Sequence, residues 1–385
     1  MIKLNKINWE ELEKNLKNRF INLDINTIKL CFNKVKNLKK EIESLRHSRL
    51  SKNDKDCKEI KLRLLQMEND LNQEELELEK YTDQLPNILH HSVPVGEKYE
   101  DSLQIEQKGQ LVFTKHHYEM DIFHPCSDFI GNKFIILKSN IAKLERALIN
   151  FMTNSLDKLG FEEISAPYII NEKGLKNSNH LPKGADDMFK IADSDKYLIP
   201  TSETTILNIG QSKIWNEDKF FFMFSDCFRK EAGSANKNDK GLIRLHQFKK
   251  CEMFCFAQPN NSYNILEKML KIPLNMLKEL EIPYRTILLS SGDSPFNSAK
   301  TYDIEIPIGN QWREVSSVSN CTDIQTNNIN CKNNNKEFLH AINGSALAVG
   351  RTLASFLEVH YNKEKNSIFI PLILRKYLEL EEILL

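Results

Sequence analysis

The sequence predicts an α+β protein: an antiparallel β-sheet packed by helices, preceded by an antiparallel α-helical coiled-coil arm. Three observations carry this. Apolar residues recur every seven positions through residues 26–84. Beyond Asp101, strand-like runs outnumber helical ones, which argues against a parallel βαβ sheet. Between Cys227 and Glu252, two apolar runs flank a polar loop with two glycines, the pattern of a hairpin.

The chain reads as an N-terminal region (1–84), a linker (85–100) and a larger domain (101–385). In the first arm helix, Ile28, Val35 and Ile42 form one heptad series, and Cys31, Leu38 and Leu45 the other. In the second, Leu64, Leu71, Leu78 and Leu85 form one series, and Ile60, Met67, Glu74 and Tyr81 the other, with one charged break. The polar stretch Ser51–Asp54 is a turn and cap signal, so the helices run antiparallel. The first helix is rich in lysine and the second in glutamate, which suits pairing across the seam. Arg46, Arg49, Lys52, Lys55 and Arg63 make the tip basic, and Pro86 ends the arm. The linker's His90 and His91, like His116 and His117 beyond it, read as surface residues.

In the larger domain, Ile141 to Leu159 is an amphipathic helix closed by Gly160, followed by a strand from Phe161 to Ser165 and then Pro167. Strands are expected near 197–199, 220–228, 246–256, 285–289, 303–307, 314–319 and 337–342. Helices are expected at 203–211, 263–280 and 346–359. The Asn- and Lys-rich stretch 327–336 reads as a low-complexity loop.

Composition bounds the function. Lysine plus arginine equals aspartate plus glutamate, 53 each, so any nucleic-acid surface must be local. The eight cysteines include no CxxC pair, so they read as buried thiols of a reducing compartment, not a zinc site. No apolar run approaches the roughly 20 residues of a membrane span. The mixed-charge start argues against a signal or transit peptide, so the expected compartment is the cytoplasm.

The hairpin carries chemistry at its mouth. Arg229 and Glu231 end the first run, and Arg244, His246 and Phe248 open the second. A guanidinium fork suits phosphate and an aromatic face suits a base. A plain hairpin with a charged tip accounts for these residues equally well. The segment FRKEAG…RLHQF, however, resembles motif 2 of class II aminoacyl-tRNA synthetases, close to the spelling in seryl-tRNA synthetases. Three further segments agree, in that family's order. LIPTSET (Leu198–Thr204) resembles its serine-binding TxE element, WREVSSVSN (Trp312–Asn320) its metal and ATP strand, and NGSALAVGRTLASFLE (Asn343–Glu358) its motif 3. The helix–strand–Pro unit ending at Pro167 resembles motif 1, the family's dimer element.

The resemblance implies a class II catalytic domain that activates L-serine with ATP and transfers it to tRNA-Ser, and to tRNA-Sec where the source has one. The basic-tipped arm would grip the tRNA, and the protein would be a homodimer. Arg229 would hold the α-phosphate and the serine carboxylate. Glu231 would accept from the adenine amino group, Phe248 would stack under adenine, Arg244 would meet the outer phosphates and Arg351 the γ-phosphate. Lys230, Val315 and Ser316 would join the ATP contacts. Glu314 and Ser317 would carry Mg²⁺ between phosphates. Serine would be held by Thr201, Ser202, Glu203, Arg229, Glu252 and Ser345, with Arg229, Glu314 and Arg351 as the catalytic set. Two other readings stay open: a carrier-protein ligase on the same domain, which would lack the arm, and an inactive paralogue, which would lose motif arginines or acids. The chain departs from the family at Ile324–Asn328, where a basic stretch is usual.

Overall fold

Heptad spacing forces two helices to share one seam, and they do. The computed structural model describes residues 4, 7–49, 54–124, 126–232 and 239–385, with backbone alone at 49 and 54–57. Helices α1 (Trp9–Asn18), α2 (Ile25–Arg49) and α3 (Asp54–Thr82) build the first of two compact units, Met1–Ile88. Asn8 caps α1 by accepting from the Glu10 and Glu11 amides. Ile42, Ile60, Leu64 and Met67 fill one stretch of the seam, and Ile28 and Leu85 another. Glu74, the charged break, is answered by Lys34 at 3.0 Å, and Glu68 by Arg46 at 2.7 Å. Partner numbers that rise on α2 thus fall on α3, the antiparallel sense. These exposed pairs each contribute about 0–1 kcal/mol, so they select register more than stability. The expected turn at Ser51–Asn53 and the side chains of Arg49, Lys52 and Lys55 lie outside the described residues.

The second unit, Leu89–Leu385, is built on one sheet. Its strands are β1 (Leu103–Lys108), β4 (Glu162–Glu163), β7 (Lys219–Phe228), β8 (Gln247–Ala257), β9 (Tyr284–Leu288), β10 (Lys300–Ile308), β11 (Gln311–Asn320) and β12 (His340–Ala348). They lie in the order β1-β9-β10-β11-β12-β8-β7-β4, antiparallel throughout except for β4 against β7. Small pairs β2 (Phe123–His124) with β3 (Ile136–Leu137) and β5 (Ile169–Asn171) with β6 (Lys196–Leu198) flank it, as does a trio of β13 (Tyr361–Asn362), β14 (Ser367–Phe369) and β15 (Glu382–Leu384). Helices α4 (Ser139–Lys158), α7 (Ser262–Glu279) and α9 (Val349–Val359) pack on the sheet in one continuous core, with α10 (Leu372–Leu378) against α4. Short helices α5 (Glu172–Asn177), α6 (Glu203–Ile209) and α8 (Ile324–Asn328) complete the unit, α5 packing on α6 and α8 on β12.

Several expectations are corrected. The strand at 161–165 shrinks to β4 at 162–163, although the Ile164 amide still donates to the Phe222 carbonyl of β7 at 2.8 Å. The third motif begins as strand: β12 runs to Ala348, and α9 starts only at Val349. Residues 327–336 are not a loose loop, since Asn328 donates to the Asn177 carbonyl at 2.9 Å and Asn333 to Glu337 at 2.9 Å. Of the segment 85–100, Leu85 is buried in the first unit's core, while the His90 amide donates to the Ala299 carbonyl at 2.8 Å in the second. His117, read as a surface residue, is fully buried. The seven described cysteines are free and buried. Gly160 adopts φ 81°, as its place after a helix requires.

Replacing the fully buried Ile28 by alanine should remove about 2–5 kcal/mol from the arm, seen as an earlier helical melt by circular dichroism. Leu62→Ala, at a side chain 74% exposed on the same arm, should leave that melt in place.

Candidate active site

Strand alternation puts Phe248, Lys250 and Glu252 on one face of β8, and that face forms a wall of a cavity of about 610 Å³. The register holds it there: Cys227 of β7 pairs with Phe248, while Met223 of β7 and Ser345 of β12 flank Glu252. Arg229, just past β7, lies with its guanidinium carbon 5.2 Å from the Phe248 ring centroid and donates through Nε to the Pro200 carbonyl at 3.2 Å.

The opposite wall depends on a bulge. Ile304 pairs with Ser316 and Glu305 with Glu314, so Val315 is an extra residue in β11. Three apart on a regular strand, Glu314 and Ser317 would face opposite sides. The bulge turns both to the cavity. A second bulge in β12, at Ala346, does the same for Ser345 and Ala348.

At the end lined by Glu231, Arg244 and Arg351, charges are paired. Glu231 bonds Arg244, which also donates to Asp239 at 3.1 Å, and Asp239 meets Arg313 at 3.3 Å. Arg351, in the first turn of α9, donates to the carbonyls of Ile243 (3.2 Å) and Glu314 (2.7 Å), with the Glu314 carboxylate at 3.5 Å. At the far end, Lys250 pairs with Glu252, and the Thr201 hydroxyl donates to Glu252 at 3.4 Å. The Gln325 amide donates to Glu203 at 2.7 Å. Burial raises the pKa of Glu203, and burial together with the neighbouring Glu203 raises that of Glu252. Burial, with Arg229 and Lys250 nearby, lowers His180 to about 4, so this cavity histidine is neutral.

Of the residues singled out from sequence, eleven line the cavity: Glu203, Arg229, Glu231, Arg244, Phe248, Glu252, Glu314, Val315, Ser317, Ser345 and Arg351. Thr201 backs onto it through Glu252. Three side chains turn away. The Ser202 hydroxyl donates to the Met223 carbonyl, the Ser316 hydroxyl donates to the Ser345 carbonyl, and Lys230 is exposed. The glycine of the FRKEAG segment, Gly233, lies outside the described residues.

Sequence reasoning missed Lys250, although it shares the period of Phe248 and Glu252. It also missed Gln325, which sits on α8 in the segment that departs from the family; nothing in its spacing marks it. Asp303, opposite Ser317 on β10, was read only as a strand residue. Burial and the nearby Glu314 push its pKa well up, and its Oδ1 is buried without a hydrogen-bond partner. Glu314, Ser317 and Asp303 offer oxygen donors to a hard divalent cation. Among the described residues, no three His, Cys, Asp or Glu side chains gather closely enough to hold a metal unaided. Such a cation would therefore need oxygens from a ligand as well.

Gln325→Leu should cost about 1.5–3 kcal/mol, the range for a hydrogen bond to a charged group. That bond favours the ionised Glu203, so removing it raises the folded-state pKa further. The loss should be largest at neutral pH and shrink toward acid pH, where Glu203 is protonated in both states, as melting temperatures across pH would show.

Residues 189–360 match the family model for the tRNA synthetase class II core domain (G, H, P, S and T). The chain is 40% identical over 324 residues to a serine–tRNA ligase of Hydrogenobaculum sp., covering 78% of this chain and 77% of that one. It is 40% identical over 337 residues to a serine–tRNA ligase of Onion yellows phytoplasma, covering 82% and 79%. The crystal structure of seryl-tRNA synthetase from Pyrococcus horikoshii complexed with ATP superposes with a TM-score of 0.91 at 28% identity, covering 100% of this chain and 99% of that one. A cavity that joins a nucleotide-type wall to a buried acidic end, on this sheet and with these relatives, has one assignment: the chain belongs to the seryl-tRNA synthetases, the ATP-dependent serine–tRNA ligases of class II.

Proposed function

We propose that the cavity joins L-serine to ATP and then passes the serine to the 3′ end of tRNA-Ser, and of tRNA-Sec where the source has one. In the first step a serine carboxylate oxygen attacks the α-phosphorus of ATP. A P–O bond forms, the bond to the β-phosphate breaks, and pyrophosphate leaves. In the second, a hydroxyl of the terminal adenosine attacks the seryl carbonyl and AMP leaves. Both reactants of the first step are anions, so the protein's task is to neutralise and align them. No side-chain nucleophile is needed.

One observation supports this best: β8 presents Phe248, beneath the Arg229 guanidinium, and the buried Glu252 on a single face of a single cavity. Phe248 would stack on adenine, and Arg229 would bridge the α-phosphate and the serine carboxylate. Glu231 and Arg244, paired in the free protein, would separate to meet the adenine amino group and the outer phosphates. Arg351 would hold the γ-phosphate. Thr201, Glu203, Glu252 and Ser345 would hold serine, a carboxylate taking the ammonium. Buried groups that expect a hydroxyl reject alanine, which would leave them unpaired. Glu314 and Ser317 would hold Mg²⁺, which supplies charge neutralisation between the phosphates. The side chains of Ser202, Ser316 and Lys230 take no part in this arrangement.

The arm of α2 and α3 would bind the tRNA backbone. The unit ending at Pro167, with Leu159 and Ile169 exposed beside it, would make a homodimer. The expected compartment is the cytoplasm; among the described residues, no helix is long and apolar enough to cross a membrane.

Serine-dependent ATP–pyrophosphate exchange tests the activation step: the intact protein should catalyse it, and its absence would sink the reading. Arg229→Ala should slow exchange by about 100-fold or more, the scale for losing one preorganised charge donor. Glu203 and Glu252 titrate above the usual carboxylate range, so they lose charge before ordinary carboxylates do as pH falls. The KM for serine should therefore climb on acidification before the ordinary carboxylate range near about pH 4.3 is reached. A serine KM that stays flat until that ordinary range would contradict the assignment of both carboxylates.

A further inference from the structure

The wall of the nucleotide end, Leu242 to Arg244, has no regular strand of its own; it is hung from α9 at two points. Arg351 takes the Ile243 carbonyl directly, at 3.2 Å. Seven residues on, two turns along the same helix, Glu358 reaches the same wall through His117. The Glu358 carboxylate is fully buried and accepts three N–H groups: the His117 amide at 3.0 Å, His117 Nδ1 at 2.6 Å, and the Gly309 amide in the β10–β11 turn. His117 Nε2 then lies 3.0 Å from the Leu242 nitrogen. A backbone amide can only donate, so Nε2 must carry the lone pair and Nδ1 the proton. The imidazole is thus held as one neutral tautomer by Glu358 and gives an acceptor to the wall.

Space is as tight as the bonding. Gly241 adopts φ 65°, and a Cβ there would fall 2.3 Å from His117 Nε2. Only glycine lets the chain pass the ring at that distance.

We propose that His117 and Glu358 are positioning residues for ATP, fixing Leu242–Arg244 at the height where Arg244 meets the phosphates and Phe248 the base. Neither touches substrate. The proposal rests on the reading of this cavity as the ATP site.

The test is His117→Asn in the full-length protein. Asparagine keeps a donor where Nδ1 stood, so Glu358 stays satisfied, but it has no atom at Nε2, so the Leu242 bond is lost. The calorimetric Kd for ATP should rise by about five- to tenfold, the usual effect of one lost hydrogen bond. The KM for serine in exchange assays should stay within about twofold, while the melting temperature falls because the buried Leu242 amide loses its acceptor. Gly241→Ala strikes the same bond from the loop side; it should give the same split and stands in where His117→Asn fails to fold. An unchanged ATP Kd in these variants, or equal losses for ATP and serine, overturns the proposal. If the wild type binds ATP but shows no serine-dependent exchange, the activation reading falls, and the ATP Kd still decides on the brace.

Discussion

Two carboxylates lining one cavity, the buried Glu252 and the partly buried Glu203, are the constraint around which the second unit is arranged. Glu203 adds to the cost of burying Glu252, and isolated charges do not survive in such a place. Their surroundings answer that cost with Lys250, Arg229, the Thr201 hydroxyl and the Gln325 amide. The strands that bring these groups are fixed by it in turn. A slip of one residue between β7 and β8 would send Glu252, Lys250 and Phe248 together to the other face of the sheet.

The nucleotide end shows the complementary economy. Glu231 pairs with Arg244, and Arg351 with Glu314. If this end takes the polyphosphate as proposed, each arginine would exchange its carboxylate for phosphate. Binding would then be a swap of partners within a fixed frame, which limits the reorganisation left for the chemical step. Arg351 takes two backbone carbonyls besides, so it can stay in place when its carboxylate partner leaves.

Much of this was legible in the chain. Periodicity of seven gave the arm, and apolar runs gave the central strands to within a few residues, because both patterns are imposed by burial. The motif residues that line the cavity could be named for a different reason: their segments resemble a family whose chemistry demands them. What stayed hidden was set by contacts between distant segments. Gln325 lies 122 residues from Glu203, and nothing local marks an amide on a short helix as the partner of a buried acid. His117 read as surface because it sits in a polar stretch; its burial is decided by Glu358, 241 residues away. The start of α9 was misplaced because Ala346 to Ala348 suit a helix by propensity, while pairing with β8 holds them in a strand.

The bulges at Val315 and Ala346 have a consequence for how such a chain can change. Each shifts the phase of its strand, so residues on either side obey opposite parity rules for which way they face. Length has become part of the code. Losing one residue near Val315 would shorten the strand hardly at all, yet it would exchange the lining of the cavity for its backing. Substitution is graded at these strands, whereas insertion and deletion are all-or-none, and a lineage carrying this fold can vary the letters of β11 and β12 far more freely than their count.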